Sequence, residues 1–241
     1  MKTIGVIPAR YASIRFPAKV LAKIAGKPMI QHVWQKVKHC EQLDEILIAC
    51  DHEEVYKVAK EFGANVVMTR SDHPSGSDRI AEAIENLNVG IVVNIQGDEP
   101  FIDSRTIDNL VLLLKKDSDC LMGTVIKEII DEADFLNPNI VKCVTDCNGY
   151  ALFFSRASIP YPRNVGSKRY KHLGLYSYRK DFLMKFKHWP KGVLESTEEL
   201  EQLRVLEKGY RIKTVITTSE SIAVDTPEDL EKAEQWYAQS R

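Results

Sequence analysis

Residues 3–19, TIGVIPARYASIRFPAK, decide the fold. The first part, 3–8, is an apolar run of β-strand length. Arg10, Arg15 and Lys19 then arrive in one loop, interleaved with Pro8, Pro17 and small residues. Pro28 next opens a helix whose Met29, Ile30, Val33, Trp34 and Val37 recur at helical spacing. A strand, a cation-bearing loop and a helix suit a triphosphate, because backbone N–H groups at a helix start and Arg or Lys side chains both favour phosphate oxygens. The loop has neither G-x-x-x-x-G-K-[ST] nor G-x-G-x-x-G, which argues against a P-loop nucleotidase and a dinucleotide dehydrogenase. Charge alone leaves a merely solvated basic loop open as the other reading.

The alternation continues outward from this unit. A second strand is expected at 45–50, ending at Asp51, followed by a helix with Val55, Val58, Ala59 and Phe62 on one face and Gly63 as its C-cap. A third strand is expected at 65–68, a third helix at 78–87, a fourth strand at 90–95, and a helix capped by Ser104 with Ile107, Leu110, Val111 and Leu114 inward. Strands apolar on both faces between helices predict an α/β fold with a mixed, mainly parallel sheet flanked by helices. Ligands of such sheets bind beyond the carboxyl ends of the strands, where the basic loop, Asp51 and Gln96-Gly97-Asp98-Glu99 all fall. The second half reads as strands at 121–127, 141–145, 151–155 and 173–178, a smaller antiparallel extension. A helix at about 197–208, a strand at 211–217 and a helix from Thr226 complete the chain. One domain over 1–241 is expected, in two parts at about 1–120 and about 121–220.

The chain has 241 residues, 44% hydrophobic, enough for a sizeable core, and a formal net charge of -1. Near-neutrality argues against a nucleic-acid or membrane-surface partner, so anion binding must come from local clusters. Five scattered cysteines, with Cys50 inside an apolar run, read as reduced core residues, and Cys143 and Cys147 have no second ligand pair for zinc. The N-terminus lacks a signal-like apolar segment and no run reaches membrane length, so a cytoplasmic protein is expected.

Several residues carry possible chemistry. Asp98 follows a buried strand with Gly97 beside it and Pro100 after it, a place to hold a hard divalent cation through oxygen or simply to end a strand. Asp225 precedes the helix start Thr226-Pro227-Glu228-Asp229, as a second metal acid or as a neighbour of the cap. Ser75, Gly76 and Ser77 form a turn entering a helix, able to hold a base, ribose or phosphate, or common loop material. In residues 171–178, strand alternation places His172, Gly174, Tyr176 and Tyr178 on one face. That face suits a wall of hydrogen-bonding groups turned to a ligand, a general base at His172, or structural packing.

Together the blocks IPARYASIRFPAK, HPSGSDR, NIQGDEPF, YALFFSRASIPYPR, KHLGLYSYR, LEQLRVLEKGYRI and VDTPEDL, in order from residue 4 to about 232, resemble the 3-deoxy-manno-octulosonate (Kdo) cytidylyltransferases. The resemblance implies a glycosyltransferase-A-like nucleotidyltransferase fold, an enzyme joining CTP to Kdo with release of pyrophosphate for lipopolysaccharide synthesis, Mg²⁺ as cofactor, and a homodimer. It implies nucleotide contacts from Pro8, Ala9, Arg10, Ser13, Arg15, Lys19, Ser75, Gly76, Ser77, Arg79, Gln96 and Asp98. Asp98 and Asp225 would hold the metal, and Arg15 and Lys19 would stabilise the leaving pyrophosphate. Gln96, Arg156, Arg163, His172, Tyr176, Glu201 and Gln202 match positions associated with the sugar acid, and the resemblance makes about 1–120 the nucleotide-binding part and about 121–220 the sugar-binding and dimerisation part. Ile14, Phe16, Ala18 and Val20 stand where that family usually has Thr, Leu, Gly and Pro, while every charged position of the loop is kept.

Overall fold

Strand β1 (Thr3–Ala9) is buried along its length, with only Pro8 partly open, as a strand covered on both faces must be. The computed structural model describes residues 1–12, 16–164 and 166–239. A short hairpin, β2 (Lys23–Ile24) and β3 (Lys27–Pro28), leads into α1 (Met29–Val37), whose Met29, Ile30, Val33 and Val37 are fully buried. Then follow β4 (Glu45–Cys50), α2 (Glu53–Glu61), β5 (Val66–Met68), α3 (Gly76–Ile84), β6 (Ile91–Asn94) and α4 (Ser104–Lys116). His52 caps α2 by accepting from Glu54 N–H, and Gly63 takes a positive φ of 83° just past its end. Helix α3 begins two residues before the expected Asp78, because the Ser75 hydroxyl accepts from Asp78 N–H and so fixes the first turn at Gly76.

The chain divides into two units, Met1–Asp108 with the segment from Ser219 onward, and Asn109–Thr218. In the first, strands run in the order β6-β1-β4-β5, all parallel, with Thr3 opposite Ile91 and Ile4 opposite Glu45. The second contains β7 (Met122–Glu128), α5 (Glu132–Leu136), β8 (Lys142–Thr145), β9 (Ala151–Ser155) and β10 (Tyr170–Arg179). It continues with α6 (Lys180–Phe186), α7 (Val193–Glu198), α8 (Leu203–Glu207) and β11 (Lys213–Thr217). Strand β10 is antiparallel to β7 and β8, β8 to β9, and β11 lies parallel to β7. The expected α/β class holds, with its mainly parallel sheet, flanking helices and antiparallel part.

One helix expected at 197–208 is two. Glu199 adopts the left-handed region at φ 51° and ends α7. The Glu207 carboxylate of α8 accepts from Leu194 and Glu195 N–H at the start of α7, and Arg204 forks onto Glu195 at 2.5 and 2.6 Å. These contacts fold the second helix back on the first, overriding the local apolar spacing. The final helix, α9 (Pro227–Gln239), starts with a reciprocal cap: Thr226 Oγ1 accepts from Asp229 N–H, and Asp229 Oδ2 accepts from Thr226 N–H. Its Leu230, Trp236 and Tyr237 pack on Ile24, Met29, Phe101 and Val224 in the first unit. No described helix is long and apolar enough to cross a membrane.

Candidate active site

The carboxyl ends of β1 and β6 approach closely because residue 97 is glycine. A Cβ there would lie 2.9 Å from the Pro8 carbonyl oxygen, closer than such atoms pack. Asp98 follows directly. Val224 N–H donates to the Asp98 carbonyl at 2.9 Å, which delivers Asp225 to the same place although it is remote in sequence. Lys19 begins a short 3-10 turn, Lys19–Leu21, after Ala18 in the left-handed region at φ 53°. Its ammonium donates to Asp98 Oδ2 at 2.6 Å and to Asp225 Oδ1 at 2.7 Å. Burial works against the Lys19 charge, but the carboxylates of Asp98 and Asp225 outweigh it and raise its pKa. Next to them, burial and the Asp98 charge push the Glu99 carboxyl up to about 7, against a hydrogen bond from Ser221.

Two carboxylates therefore converge on one cation. Among the described residues no group of three or more metal-ligating side chains occurs. The donor set fits a hard divalent ion of the magnesium type, which takes one or two carboxylates and completes its shell with water and phosphate oxygens. The Lys19 ammonium lies between the two carboxylates and bridges them.

The other residues expected to meet the nucleotide take several places. Pro8 and Ala9 end β1, Arg10 donates to the His73 carbonyl at 2.7 Å, and a Cβ on Gly76 would meet the Pro8 ring at 3.6 Å, so the Ser-Gly turn packs on the end of β1. Gln96, in the turn after β6, stands 3.5 Å from Asn94 Oδ1. Ser75 serves as the cap of α3 and donates to Asp78 Oδ2 at 2.7 Å, while Ser77 is buried. Arg79 is fully buried and its guanidinium faces protein: Asp51 Oδ2 at 2.8 Å, Thr69 Oγ1 at 2.6 Å and the Arg70 carbonyl at 3.1 Å. Ser13 and Arg15 lie outside the described residues. Asp51 was legible only as a carboxylate after a buried strand, and its contacts with Tyr11 and Arg79 have no local sequence signal.

In the second unit, His172 and Tyr176 share a face of β10, their ring centroids 5.3 Å apart. The register shifts between Leu173 and Tyr176, so that His172 opposes Ile126 and Tyr176 opposes Thr124. The two extra residues keep both side chains on one side. Thr124 Oγ1 lies 2.9 Å from His172 Nε2 and donates its proton to the Leu175 carbonyl at 2.9 Å. The imidazole must therefore donate through Nε2, leaving Nδ1 as an acceptor. Burial pushes the His172 pKa down to about 3, and the ring is neutral at physiological pH. Burial also raises the Tyr176 phenol well above its usual value, and its hydroxyl donates to Gln202 Oε1 at 3.2 Å. Gln202 is buried, with an amide nitrogen that has no partner. Glu201 adjoins it in the turn before α8. Arg156 is tied by its Nε to the Glu198 carbonyl and by Nη1 to the Pro138 carbonyl, and Arg163 is exposed.

A cytidylyltransferase family profile matches residues 4–215. The 3-deoxy-manno-octulosonate cytidylyltransferase of Solibacter usitatus is 52% identical over 99% of this chain and 96% of its own length. That of Geobacter sulfurreducens is 47% identical over 96% and 98%. A solved CMP:2-keto-3-deoxy-manno-octonic acid synthetase in complex with CTP superimposes with a TM-score of 0.96 at 39% identity, covering 100% of both chains. A 4-diphosphocytidyl-2C-methyl-D-erythritol synthase from Anaerococcus prevotii shares the fold, with a TM-score of 0.67 at 14% identity over 98% of this chain and 96% of that one.

Proposed function

We infer the reaction from one premise: this chain belongs to the cytidylyltransferase family. It is a nucleotidyltransferase, and it transfers CMP from CTP to 3-deoxy-manno-octulosonate, forming CMP-Kdo and pyrophosphate. The anomeric hydroxyl of the sugar forms a bond to the α-phosphorus, the bond from that phosphorus to the bridging oxygen breaks, and the hydroxyl proton passes to solvent.

The observation that carries the reading at residue level is the Lys19 ammonium held by both Asp98 and Asp225. Joining a sugar carboxylate to a polyanion requires mutual repulsion to be cancelled, and these three groups supply both signs of charge at the strand ends. Asp98 and Asp225 would hold Mg²⁺, which when bound supplies Lewis-acid neutralisation of the phosphate oxygens. Lys19, freed from the acids, stabilises the departing pyrophosphate, as does Arg15 from the same loop. Arg10, Gln96 and the Ser75-Gly76-Ser77 turn bind the nucleotide. His172, Tyr176, Glu201 and Gln202 bind the sugar, with Arg156 and Arg163 drawn to its carboxylate. A neutral His172 with a bare Nδ1 and a Gln202 amide without a partner suit hydroxyl recognition, in which each ligand group meets a preset donor or acceptor.

The protein acts in the cytoplasm, in the supply of activated Kdo for lipopolysaccharide; the five free cysteines accord with a reducing compartment. It works as a homodimer, a reading supported by large apolar side chains exposed in the second unit, among them Ile130, Leu136, Leu152, Tyr161 and Val193. The deciding experiment is pyrophosphate release with CTP and Mg²⁺ against a panel of sugar acids. Turnover is expected with Kdo above all others. Preference for a sialic acid or an amino-substituted analogue would move the acceptor assignment, and release with none would refute it.

A further inference from the structure

We propose that Asp51 is the positioning residue of the cation-bearing loop, and that Arg79 braces Asp51 from beneath rather than touching the nucleotide. The inference rests on reading this loop as the CTP site. Asp51 stands just past β4 with its side chain 7% exposed, and both of its oxygens are committed. Oδ1 accepts from Tyr11 N–H at 2.9 Å, where the loop leaves β1, and Oδ2 accepts from Arg79 Nη2 at 2.8 Å.

Arg79 in turn ties three segments together. Its Nη1 donates to Thr69 Oγ1 and to the Arg70 carbonyl past β5, and the Thr69 hydroxyl donates to the Cys50 carbonyl at the end of β4. Helix α3, which carries Arg79, follows the Ser75-Gly76 turn. On the loop side, the Tyr11 ring stacks on His52 with centroids 3.8 Å apart and planes 14° from parallel, and Arg10 is held to the His73 carbonyl. Two consecutive residues, Arg10 and Tyr11, are thus fixed by acceptors from the β4 end and from the approach to α3.

The chemistry demands a carboxylate at position 51. Both neighbours are donors, an amide N–H and a guanidinium, so the residue between them must accept twice. Asparagine has one accepting oxygen and would turn its NH₂ toward one of two donors. It would also leave a fully buried guanidinium without its counter-charge. The loop's exit from β1 at Arg10 and Tyr11 depends on this pair.

The test is steady-state kinetics, with calorimetric CTP titration, on Asp51→Asn and on the double variant Asp51→Asn/Arg79→Met. In Asp51→Asn the KM for CTP is expected to rise about tenfold or more, the scale of one charge-assisted hydrogen bond, with the KM for Kdo within about twofold of the parent. Removing both charges relieves the buried guanidinium, so the double variant should regain most of the parent melting temperature while the CTP defect persists. A purely structural pair would behave otherwise, and three outcomes overturn the proposal. They are an unchanged CTP KM in Asp51→Asn, equal rises in the two KM values, and a CTP KM restored together with stability in the double variant. Failure of the parent protein to turn over CTP with Kdo would instead sink the functional reading on which the inference rests.

Discussion

Two polar regions of this molecule solve opposite problems. At the strand ends of the first unit, Lys19, Asp98 and Asp225 form a charged cluster whose side chains are 15%, 24% and 40% exposed. In the second unit, His172, Tyr176 and Gln202 form a face that burial keeps uncharged. The difference teaches how each would recognise a ligand. On the proposed assignment, partial exposure would let ions exchange at the first, where the nucleotide would bring about four formal charges. On the same assignment, desolvation would make the second selective for hydroxyls, since an unmatched donor or acceptor there costs more than it would in water.

The largest expected effect tests the charged side. An exchange of Asp98 for Asn should lower Mg²⁺-dependent pyrophosphate release by about a thousandfold, the equivalent of losing ~4 kcal/mol from one close charge interaction at an effective dielectric near 20. Asp225→Asn should cost less, because its carboxylate is more open to water. A larger loss at Asp225 than at Asp98 would reverse the ranking of the two acids.

On the neutral side, His172→Asn should reduce kcat/KM for Kdo by about ten- to a hundredfold while leaving the KM for CTP within about twofold. It carries a signature in pH as well. The His172 pKa falls from 6.5 to about 3 in the folded protein, so protons bind the unfolded chain first. Its contribution to stability is complete above pH 6.5 and is lost as the pH falls from there toward 3, at up to about 1.4 kcal/mol per pH unit. Urea titrations across that range should show a shallower acid decline in His172→Asn; an identical decline would mean that the ring is charged.

Next in size is Gly97→Ala. The new methyl would meet the Pro8 carbonyl oxygen at 2.9 Å, and parting the ends of β1 and β6 should cost about 1–3 kcal/mol. Thermal melting reads the loss, and the KM for CTP should rise while that for Kdo holds. The smallest effect is expected at Ala18, whose φ of 53° suits glycine. Ala18→Gly should change stability by less than about 1 kcal/mol, because relief of the left-handed strain is offset by the freer unfolded chain. A loss of several kcal/mol would show that the methyl group packs.

Much of the parallel half was legible in the sequence because each strand and helix there follows local periodicity. Met29, Ile30, Val33 and Val37 mark the buried face of α1 in both readings. What failed was decided at a distance. Nothing near Glu199 announces a break; the break follows from Glu207 capping a helix that begins at Val193. For the site, Lys19 and Asp98 were visible as residue types after strands, but their meeting with Asp225 depends on the Val224 hydrogen bond to the Asp98 carbonyl. Arg79 counted as one more cation near a phosphate loop, since charge in a sequence does not reveal a buried partner such as Asp51. The pairing of His172 with Tyr176 survived an irregular strand only because the shift preserved parity.

Manganese binding followed by electron paramagnetic resonance, on the parent and on Lys19→Met without nucleotide, reaches the shared carboxylates most directly. If the ammonium and the metal compete for Asp98 and Asp225, the variant will bind Mn²⁺ several times more tightly than the parent while losing turnover with CTP and Kdo. Equal or weaker Mn²⁺ binding by Lys19→Met would contradict a common cation site between the two aspartates.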